Sequence, residues 1–392
     1  MSDRKPIYLD HHATTPVDSR VLEVMLPLFT EDFGNAASHT HQYGWRAEAV
    51  VEIARESLSS ALGGEDPREL VFTSGATESD NLALKGVLEA EAGRGDHVVT
   101  VATEHPAVLD AAQAASARGA RVTLLPVDGE GLVDPDAVAR AITERTVLVS
   151  VMAANSEIGV LQPLAEIGRV CNERGVLFHS DAAQAVGKVP LDVEALGLDL
   201  VSLCAHKLYG PKGVGALWVR RRRRGGGRIR LAPLIHGGGH ERGLRSGTLP
   251  VPLVAGFARA LELCLEERES EAKRLSELRD RTLARLQASL GDVLLNGHST
   301  RRLPGNLNVA LAGVQADALI GALPQLAIST GSACSSAKPE PSHVLRALGL
   351  PAARVQSSIR IGLGRSTTVE DVDRAADAIV VQVEKLRRGR AG

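Results

Sequence analysis

Short apolar runs alternate with helical patterns of apolar residues between about Val71 and Val219. Such runs, bounded by turn signals, are typical of strands buried on both faces, and their alternation with helices indicates an α/β sheet. The candidate strands are Leu70 to Thr73, His97 to Ala102, Arg121 to Leu125, Val147 to Met152, Val176 to Ser180, Leu200 to Cys204 and Gly215 to Val219. The pattern predicts a large, mostly parallel sheet covered by helices.

Two helical patterns indicate how the chain is organised. Pro163 to Arg174 has proline in its first turn and Gly175 as its stop, which predicts a helix. A long amphipathic pattern from about Ala255 to Leu290 is expected to bridge two lobes. Tyr8 and Leu9 resemble a short strand without local partners, so we expect the N-terminus to join the second lobe. The predicted division is a large domain at 16–260 and a smaller α+β domain at 1–15 and 261–392.

Composition narrows the class of protein. The chain has 392 residues, of which 44% are hydrophobic and 23% charged, as is ordinary for a soluble globular enzyme. The net charge of -2 gives no bulk attraction for nucleic acid or an anionic membrane. Met1 to Asp10 lacks the apolar run of a signal peptide, and no stretch is long enough to span a bilayer, so we expect a cytoplasmic protein. Arg220 to Arg224 could contact RNA or an acidic carrier, but a solvated loop is the commoner outcome.

The four cysteines, Cys171, Cys204, Cys264 and Cys334, lie far apart and lack the spacing of a metal site. We therefore expect free thiols, with neither a disulfide framework nor a metal centre. Cys171 and Cys264 fall in helical patterns and suit inert, buried thiols. Cys334 differs, because the segment STGSACSSAKPEPSH is rich in small and polar residues and is expected to move.

Two charged residues follow neighbouring candidate strands. Lys207 comes after the strand ending at Cys204, in CAHKLYGPKG, and Asp181 follows the preceding strand, in HSDAAQ. A lysine at such a place can form a Schiff base with a carbonyl cofactor such as pyridoxal phosphate (PLP), whose pyridine nitrogen needs an anion nearby. Alone, Lys207 is more simply a surface lysine and Asp181 a helix cap. Together they would face one crevice at the strand ends.

The segment SGATES, residues 74–79, lies between a candidate strand and a helix. Gly75 allows close approach of the backbone, and the helix N-terminus offers the amides of Ala76 and Thr77 to a phosphate. Many helices begin with such residues merely as caps, so the motif alone is weak.

The sequence resembles the cysteine desulfurases, in the IscS/NifS-like branch with a long catalytic loop, over nearly its whole length. The matching segments are YLDHHATTP, VFTSGATESDNLALKG, ATEHPAVLD, ANSEIGVLQP, HSDAAQAVGK, AHKLYGPKGVGAL, GGGHERGLRSGTLPV, STGSACSS and SSIRIGLGR. The resemblance implies the type I fold of PLP-dependent transferases: a large, mostly parallel sheet domain and a smaller α+β domain.

The resemblance also implies a PLP site. Lys207 would be the Schiff-base lysine, Asp181 the partner of the pyridine nitrogen, and Gln184 a hydrogen-bond partner of the phenolic oxygen. His105 would stack on the ring and help to move protons. The alternative for His105 is a buried histidine with a purely structural role, whose hydrogen bonds are made within the protein.

The phosphate and substrate sites follow from the same resemblance. Thr77, His206 and Thr248 would bind the phosphate, with Thr248 contributed across a homodimer interface. The family usually has serine where this chain has Cys204, a weaker donor that could instead pack as a small hydrophobe. Arg360 would bind the substrate carboxylate, assisted by Asn155.

Cys334 favours sulfur chemistry over ordinary amino transfer. The implied activity is conversion of L-cysteine to L-alanine with a persulfide on Cys334, for iron-sulfur cluster assembly or thiolation. A sulfur-acceptor protein such as an iron-sulfur scaffold is expected as a partner, and direct binding of nucleic acid or a membrane is not. The alternatives are a selenocysteine lyase, an aminotransferase, and a non-catalytic scaffold protein of the same fold.

Overall fold

The computed structural model describes residues 5–331 and 341–389. The strands are β1 (Ile7–Tyr8), β2 (Leu70–Thr73), β3 (His97–Val101), β4 (Arg121–Leu125), β5 (Thr146–Ser150), β6 (Leu177–Asp181), β7 (Leu200–Cys204), β8 (Gly215–Val219), β9 (Val293–Leu295), β10 (Asn306–Leu311), β11 (Leu326–Ala327) and β12 (Ser358–Gly362). The α-helices are α1 (Ser19–Met25), α2 (Pro27–Thr30), α3 (Gln42–Ser60), α4 (Ala76–Ala90), α5 (Pro106–Ser116), α6 (Pro135–Ala141), α7 (Leu164–Arg174), α8 (Val251–Leu290), α9 (Ala316–Gly321), α10 (His343–Ala347), α11 (Ala352–Gln356) and α12 (Val369–Arg388).

A seven-stranded sheet has the order β2-β8-β7-β6-β5-β3-β4. Its strands run parallel except β8, which is antiparallel to both β2 and β7. The predicted mostly parallel α/β sheet is therefore confirmed. The predicted and observed bounds agree for β2, β4, β7 and β8, and differ slightly at the ends of the others, where hydrogen bonding rather than hydrophobicity ends a strand.

The central strands are buried on both faces, as the continuous apolar runs predict. Successive side chains point to opposite faces of a sheet, so each strand serves two layers. In β7, Leu200 packs with apolar residues of α4 and α5, whereas Val201 belongs to the cluster formed by α3, α7 and α8. Helices on both faces thus leave the strand ends as the accessible edge of the sheet.

A second core lies around a three-stranded antiparallel sheet in the order β12-β10-β9. It includes the C-terminal part of α8, apolar residues of α12, and Leu9 from the N-terminus. The strand predicted at Tyr8 and Leu9 is observed one residue earlier, as β1, and it pairs in parallel with β11. Its partner is more than 300 residues away, which explains why no local partner is visible in the sequence. The division at residues 16 and 260 stays a prediction.

The 40-residue helix α8 contributes to both cores. Phe257 and Leu261 in its first half pack with the large sheet, while Leu278 and Leu286 in its second half pack with the smaller one. At 1.5 Å per residue such a helix spans about 60 Å, enough to reach across two packed units. The bridge predicted from the amphipathic pattern is present.

The arginine run lies in a turn where Arg222 and Arg228 form an isolated antiparallel bridge. Four of its guanidinium groups pair with acidic side chains, in the pairs Arg220–Glu194, Arg221–Asp66, Arg223–Glu91 and Arg224–Glu194. Local carboxylates therefore compensate much of its positive charge. Within the described residues, no helix is long and apolar enough to cross a membrane.

A buried ion pair fastens the segment around Glu241 to the large sheet. Arg55 on α3 and Glu241 are both almost fully buried, and two guanidinium N–H groups donate to the two carboxylate oxygens at 2.8 Å. Glu241 also accepts the backbone N–H of Phe72 in β2 at 2.7 Å. Because a buried charge without its partner is costly, each half of the pair requires the other.

Glu241→Ala should therefore lower the free energy of unfolding by about 3–5 kcal/mol, since the buried guanidinium of Arg55 loses its only buried carboxylate partner among the described residues and keeps only the exposed Glu52. Urea unfolding monitored by circular dichroism measures the change. Glu52→Ala is the matched control, because Glu52 also pairs with Arg55 but is 56% exposed, and its loss should cost no more than about 1 kcal/mol. Equal losses in the two variants would contradict the assignment.

Candidate active site

Two of the predicted groups follow neighbouring strands at one edge of the large sheet. Asp181 is the last residue of β6, and Lys207 ends the short 3-10 turn that follows β7. The two strands pair in parallel, with Asp181 beside Ser202. In an open α/β sheet, ligands bind outside the carboxyl ends of the strands. Both side chains therefore lie at the edge where a ligand is expected.

The Asp181 carboxyl is buried in an environment rich in acids. It accepts the backbone N–H of Ala183 at 2.9 Å. Burial raises its pKa, while the nearby His105 and Lys207 act in the opposite direction. Asp80 on α4 lies close by, and burial and the charge of Asp181 raise the pKa of Asp80 well above its usual value. A protonated pyridine nitrogen beside Asp181 would supply the missing positive charge, so this pair fits the implied cofactor.

The N-terminal segment holds Lys207. Its Nζ donates to the backbone carbonyl oxygens of His12 at 2.5 Å and Ala13 at 2.6 Å. Thr15 braces the same turn, because its N–H and hydroxyl both donate to the carbonyl of His206, at 3.0 and 2.9 Å. The lysine is thus fixed by residues more than 190 positions earlier in the chain.

Gln184 and His206 lie beside this lysine. Gln184 is buried, and its Nε2 donates to the carbonyl oxygen of His12 at 2.9 Å, the same atom that Lys207 contacts. The Nδ1 of His206 lies 3.1 Å from the hydroxyl of Thr14. Burial, together with the charge of Lys207, lowers the pKa of His206 to about 4. His206 is therefore neutral near pH 7 and can act as a hydrogen-bonding group rather than as a cation.

The N-terminus of α4 provides a second set of donors at this edge. Its first intrahelical bond runs from Ser79 N–H to Gly75 carbonyl, so the amides of Ala76 and Thr77 precede it. Gly75 has φ +156°, and a Cβ on Gly215 would lie 2.6 Å from the Gly75 Cα. Only glycines permit this approach of α4 to β8. The helix N-terminus can therefore receive an anion beside β7 and β8.

Thr248 lies in an exposed part of the segment between β8 and α8. Arg245, three residues earlier, pairs with Glu78 in the first turn of α4 at 3.0 Å. That ion pair brings this segment next to α4 of the same chain. The contribution of Thr248 across a subunit interface stays a prediction.

His105 is the N-cap of α5, and its Nδ1 accepts the backbone N–H of Ala107 at 3.1 Å. A neutral ring that accepts at Nδ1 carries its proton on Nε2. The capping bond therefore places the proton of a neutral ring on Nε2. The proximity of His105 to Asp181 agrees with a position at the ring-binding edge.

Arg360 is buried in β12 and already meets an anion of its own chain. Its Nη2 donates to the Asp10 carboxylate at 2.7 Å, and its Nη1 donates to the carbonyl of Ser156 at 3.1 Å. The Nε has no partner among the described residues. The sequence indicated a buried anion, but its identity as Asp10 was not predicted. A substrate carboxylate would compete with Asp10 for this guanidinium.

Asn155 is buried and organises a turn. Its Oδ1 accepts the N–H groups of Glu157 and Ile158, at 2.8 and 3.0 Å, and its Nδ2 donates to the carbonyl of Thr103 at 2.9 Å. The side chain therefore joins this turn to the segment that carries His105. Its role toward a substrate stays a prediction.

Cys334 lies outside the described residues. The flanking residues Gly331 and Ser342 both contact Glu157: a Cβ on Gly331 would lie 2.4 Å from the Glu157 side chain, and Ser342 hydrogen bonds to its carboxyl. Burial is the main reason that the pKa of Glu157 rises to about 7. The sequence did not predict a carboxyl group with a raised pKa next to the residues on both sides of the segment that contains Cys334.

The three cysteines that are described are buried. Burial raises the pKa of Cys204 to about 12 and also raises those of Cys171 and Cys264, so all three are protonated, unreactive thiols near pH 7. Cys204 thus packs as a small hydrophobe. No group of three or more potential metal ligands is present among the residues described.

Sequence reasoning missed four titratable residues around this edge: the buried Asp80, Glu104 and His12, and the half-buried Lys188. Asp80 and Glu104 have pKa values well above normal, because burial penalises their charged forms. A signal was available for Asp80, which occupies the apolar face of α4 beside Leu82, Ala83 and Leu84. The other three lie in loops, where burial depends on distant segments and leaves no pattern.

Comparison with known proteins agrees with this architecture. The chain belongs to the class-V aminotransferase family, whose model matches residues 7–375. More narrowly, it is 53% identical to the cysteine desulfurase IscS of Anaeromyxobacter sp. (strain Fw109-5), over 97% of this chain and 93% of the relative. It is 49% identical to cysteine desulfurase IscS of Rickettsia rickettsii (strain Iowa), over 97% and 92%. A solved structure of a NifS-like protein superposes with a TM-score of 0.89 at 37% identity, over 97% of this chain and all of the other. The resemblance and the type I fold are confirmed.

Glu157→Gln should increase stability in a pH-dependent way. The folded pKa of Glu157 is about 7, above its usual 4.5, so ionisation opposes folding as the pH rises from about 4.5 to 7. The variant should gain little at pH 4.5 and roughly 3 kcal/mol at pH 8. Urea unfolding at the two pH values measures this. Glu166→Gln, at an exposed position on α7, is the control and should show no such trend. A pH-independent difference for Glu157→Gln would refute the explanation.

Proposed function

We propose that this cysteine desulfurase binds PLP at the carboxyl edge of its large sheet and converts L-cysteine to L-alanine, carrying the sulfur as a persulfide on Cys334. The observation that carries the proposal is the convergence of Asp181, Lys207 and Gln184 at one buried edge, in a chain that matches cysteine desulfurases over 97% of its length. The site residues themselves are part of the proposal.

The residues at this edge fit PLP. Lys207 would hold the aldehyde carbon, Asp181 the ring nitrogen, Gln184 the ring oxygen, and Thr77 and His206 the phosphate, with the amide of Ala76. Thr248 of a second subunit would complete the phosphate site. When bound, PLP withdraws electrons from the α-carbon of an amino acid and so weakens the bonds at that carbon.

Proton movement falls to Lys207 and His105. When it is not bonded to the cofactor, the Lys207 amine would be placed to take the α-proton. His105 caps α5 through Nδ1 and lies near Asp181, so its ring would help to move protons at this edge. Lys207 would therefore act as the base, with His105 assisting the transfer.

Recognition of the amino acid falls to Arg360 and Asn155. The guanidinium of Arg360 binds a carboxylate in a bidentate way, and its unpartnered Nε–H is a donor that Asp10 leaves unused. Asn155 shapes the adjoining turn, whose Ser156 carbonyl also contacts Arg360. Exchange of Asp10 for the substrate carboxylate keeps the buried charge neutralised throughout.

The sulfur step requires a thiolate at Cys334. The thiolate attacks the substrate sulfur, a sulfur–sulfur bond forms, and the carbon–sulfur bond of the substrate breaks. The former sulfur-bearing carbon gains a proton, which yields alanine, while the enzyme keeps the outer sulfur as Cys334–S–SH. Because a persulfide must be discharged, the proposal includes a sulfur-acceptor protein such as an iron-sulfur scaffold, a homodimeric enzyme and a cytoplasmic location.

Cys334→Ala should keep the yellow colour of bound PLP, because the residues around the cofactor are unchanged, and should lose at least about 100-fold in alanine formation from cysteine. Absorption spectra and an amino-acid assay with a thiol reductant measure the two properties, and mass spectrometry should find one added sulfur at Cys334 of the parent protein. The neighbouring Ser335→Ala is the control and should stay active. Full activity of Cys334→Ala would mean that the nucleophile lies elsewhere.

Arg360→Lys should raise the KM for cysteine by about 10- to 100-fold, since a lysine keeps the charge but loses the fork of two donors. Steady-state kinetics and substrate titrations measure the effect. Arg374→Lys on α12, which is 49% exposed, is the control and should leave KM unchanged. An unchanged KM in Arg360→Lys would remove Arg360 from the substrate site.

Simple measurements distinguish the alternative functions from a cysteine desulfurase. A selenocysteine lyase would turn over selenocysteine far faster than cysteine, and an aminotransferase would need a keto-acid acceptor to form product. A scaffold protein of this fold would remain colourless when given PLP. The intact Lys207, Asp181 and Arg360 favour the enzyme.

A further inference from the structure

Two donors converge on the side-chain oxygen of Gln184. The Nδ1 of His12 and the Nζ of Lys188 both lie 3.1 Å from Oε1. The Nε2 of Gln184 donates to the backbone carbonyl oxygen of His12 at 2.9 Å. Three of the hydrogen bonds open to this buried amide are therefore made within the protein.

These contacts fix which way the amide of Gln184 points. A lysine ammonium has donors and no acceptor, so the atom that it meets must be the oxygen. Flipping the amide would place its NH2 group against Lys188 Nζ and its oxygen against the carbonyl of His12, which loses the bonds to both groups and adds two repulsions. One N–H of Nε2 is then the only polar group of Gln184 left for a ligand, so it can donate but not accept.

The ring of His12 is held in one state as well. Burial lowers its pKa well below the usual value, and the charges of Lys188 and Arg360 act in the same direction. The ring is therefore neutral, and because Oε1 of Gln184 must accept, the proton of His12 lies on Nδ1. Its Nε2 is buried and has no partner among the described residues.

Lys188 is placed by close packing of its backbone. Gly187 has φ +71°, and a Cβ there would lie 2.9 Å from Cys264, so the chain turns tightly before Lys188. The lysine lines a cavity of ≈ 50 Å³ together with His11, His12 and Cys264. Burial, with the charge of Lys207, lowers the pKa of Lys188 to about 8. The titratable groups that interact with it electrostatically are Lys207, His11, His12, His206, Cys204 and Cys264. The same cavity is also lined by Tyr209, Glu267, Arg268, Glu271 and Arg365.

We propose that Lys188 and His12 are positioning residues, which hold Gln184 as a pure hydrogen-bond donor and so select the ionised form of the coenzyme's ring oxygen. This inference rests on the proposed PLP site. The cation at Lys188 adds a favourable field for that negative oxygen. It also opposes a second positive charge at Lys207, as their mutual electrostatic effect indicates.

The test uses the PLP-loaded enzyme without substrate and follows the visible absorption band of the bound coenzyme against pH. In Lys188→Met the midpoint of this titration should rise by about one pH unit, because a cation and the constraint on Gln184 are lost together. Lys188→Arg keeps a donor and a charge, so its midpoint should return to within about 0.3 units of the parent. His12→Asn keeps a donor near Oε1 and should behave similarly, whereas His12→Leu should shift upward.

Lys212→Met is the matched control, since Lys212 is an exposed lysine whose charge acts on His206, and its variant should titrate like the parent. A Lys188→Met enzyme that is yellow and has the parent's midpoint would overturn the positioning role while leaving the proposed function intact. Equal shifts in Lys188→Met and Lys188→Arg would also overturn it, because they would indicate a packing role. A parent protein that takes up no PLP would refute the proposed function itself, and this role with it.

Discussion

The backbone carbonyl oxygen of His12 accepts hydrogen bonds from both Lys207 and Gln184, and the arrangement of the candidate site depends on this shared atom. The two side chains follow different strands of the large sheet, yet the atom they share belongs to the N-terminal segment. That segment is held in turn by the second core, where Leu9 is buried and the carbonyl of Gly362 accepts the N–H of His11. The geometry at the sheet edge is therefore set by both cores together. Movement of one core against the other would displace the carbonyl oxygen that Lys207 contacts.

Charge balance is the second constraint on the site. Asp80, Glu104 and Asp181 are buried close to one another, and each carboxyl has a pKa raised chiefly by burial. Lys207 and His105 offset only part of this acidity at Asp181. A surplus of buried carboxyl groups costs stability unless a positive group is added, which is what a protonated pyridine ring provides. Lys188 and Arg360 both act electrostatically on His12, and they provide positive charge where the ring oxygen and the substrate carboxylate are proposed to lie.

Particular residues show how far sequence reasoning reached. Lys207 and Asp181 could be found because each follows a strand whose apolar run is unmistakable, so their common edge follows from the topology of an α/β sheet. Arg360 was recognised as a buried cation from its apolar strand, but Asp10, its partner, lies 350 residues away. Lys188 and Glu157 carry no sequence signal at all, because a lone lysine after a glycine and a glutamate in a loop are usually exposed. The turn before Lys188 packs against Cys264, and Glu157 lies against Gly331 and Ser342.

The sequence by itself determined the sheet, the bridging helix α8, the family and the residue types from which the site is built. These depend on local periodicity and on short segments, which are written along the chain. Only the tertiary structure decided the partners: Asp10 for Arg360, the carbonyl of His12 for Lys207, and Lys188 with His12 for Gln184. Each of these contacts joins segments that are distant or lie in loops, so it arises from packing of the two cores rather than from any pattern within one segment.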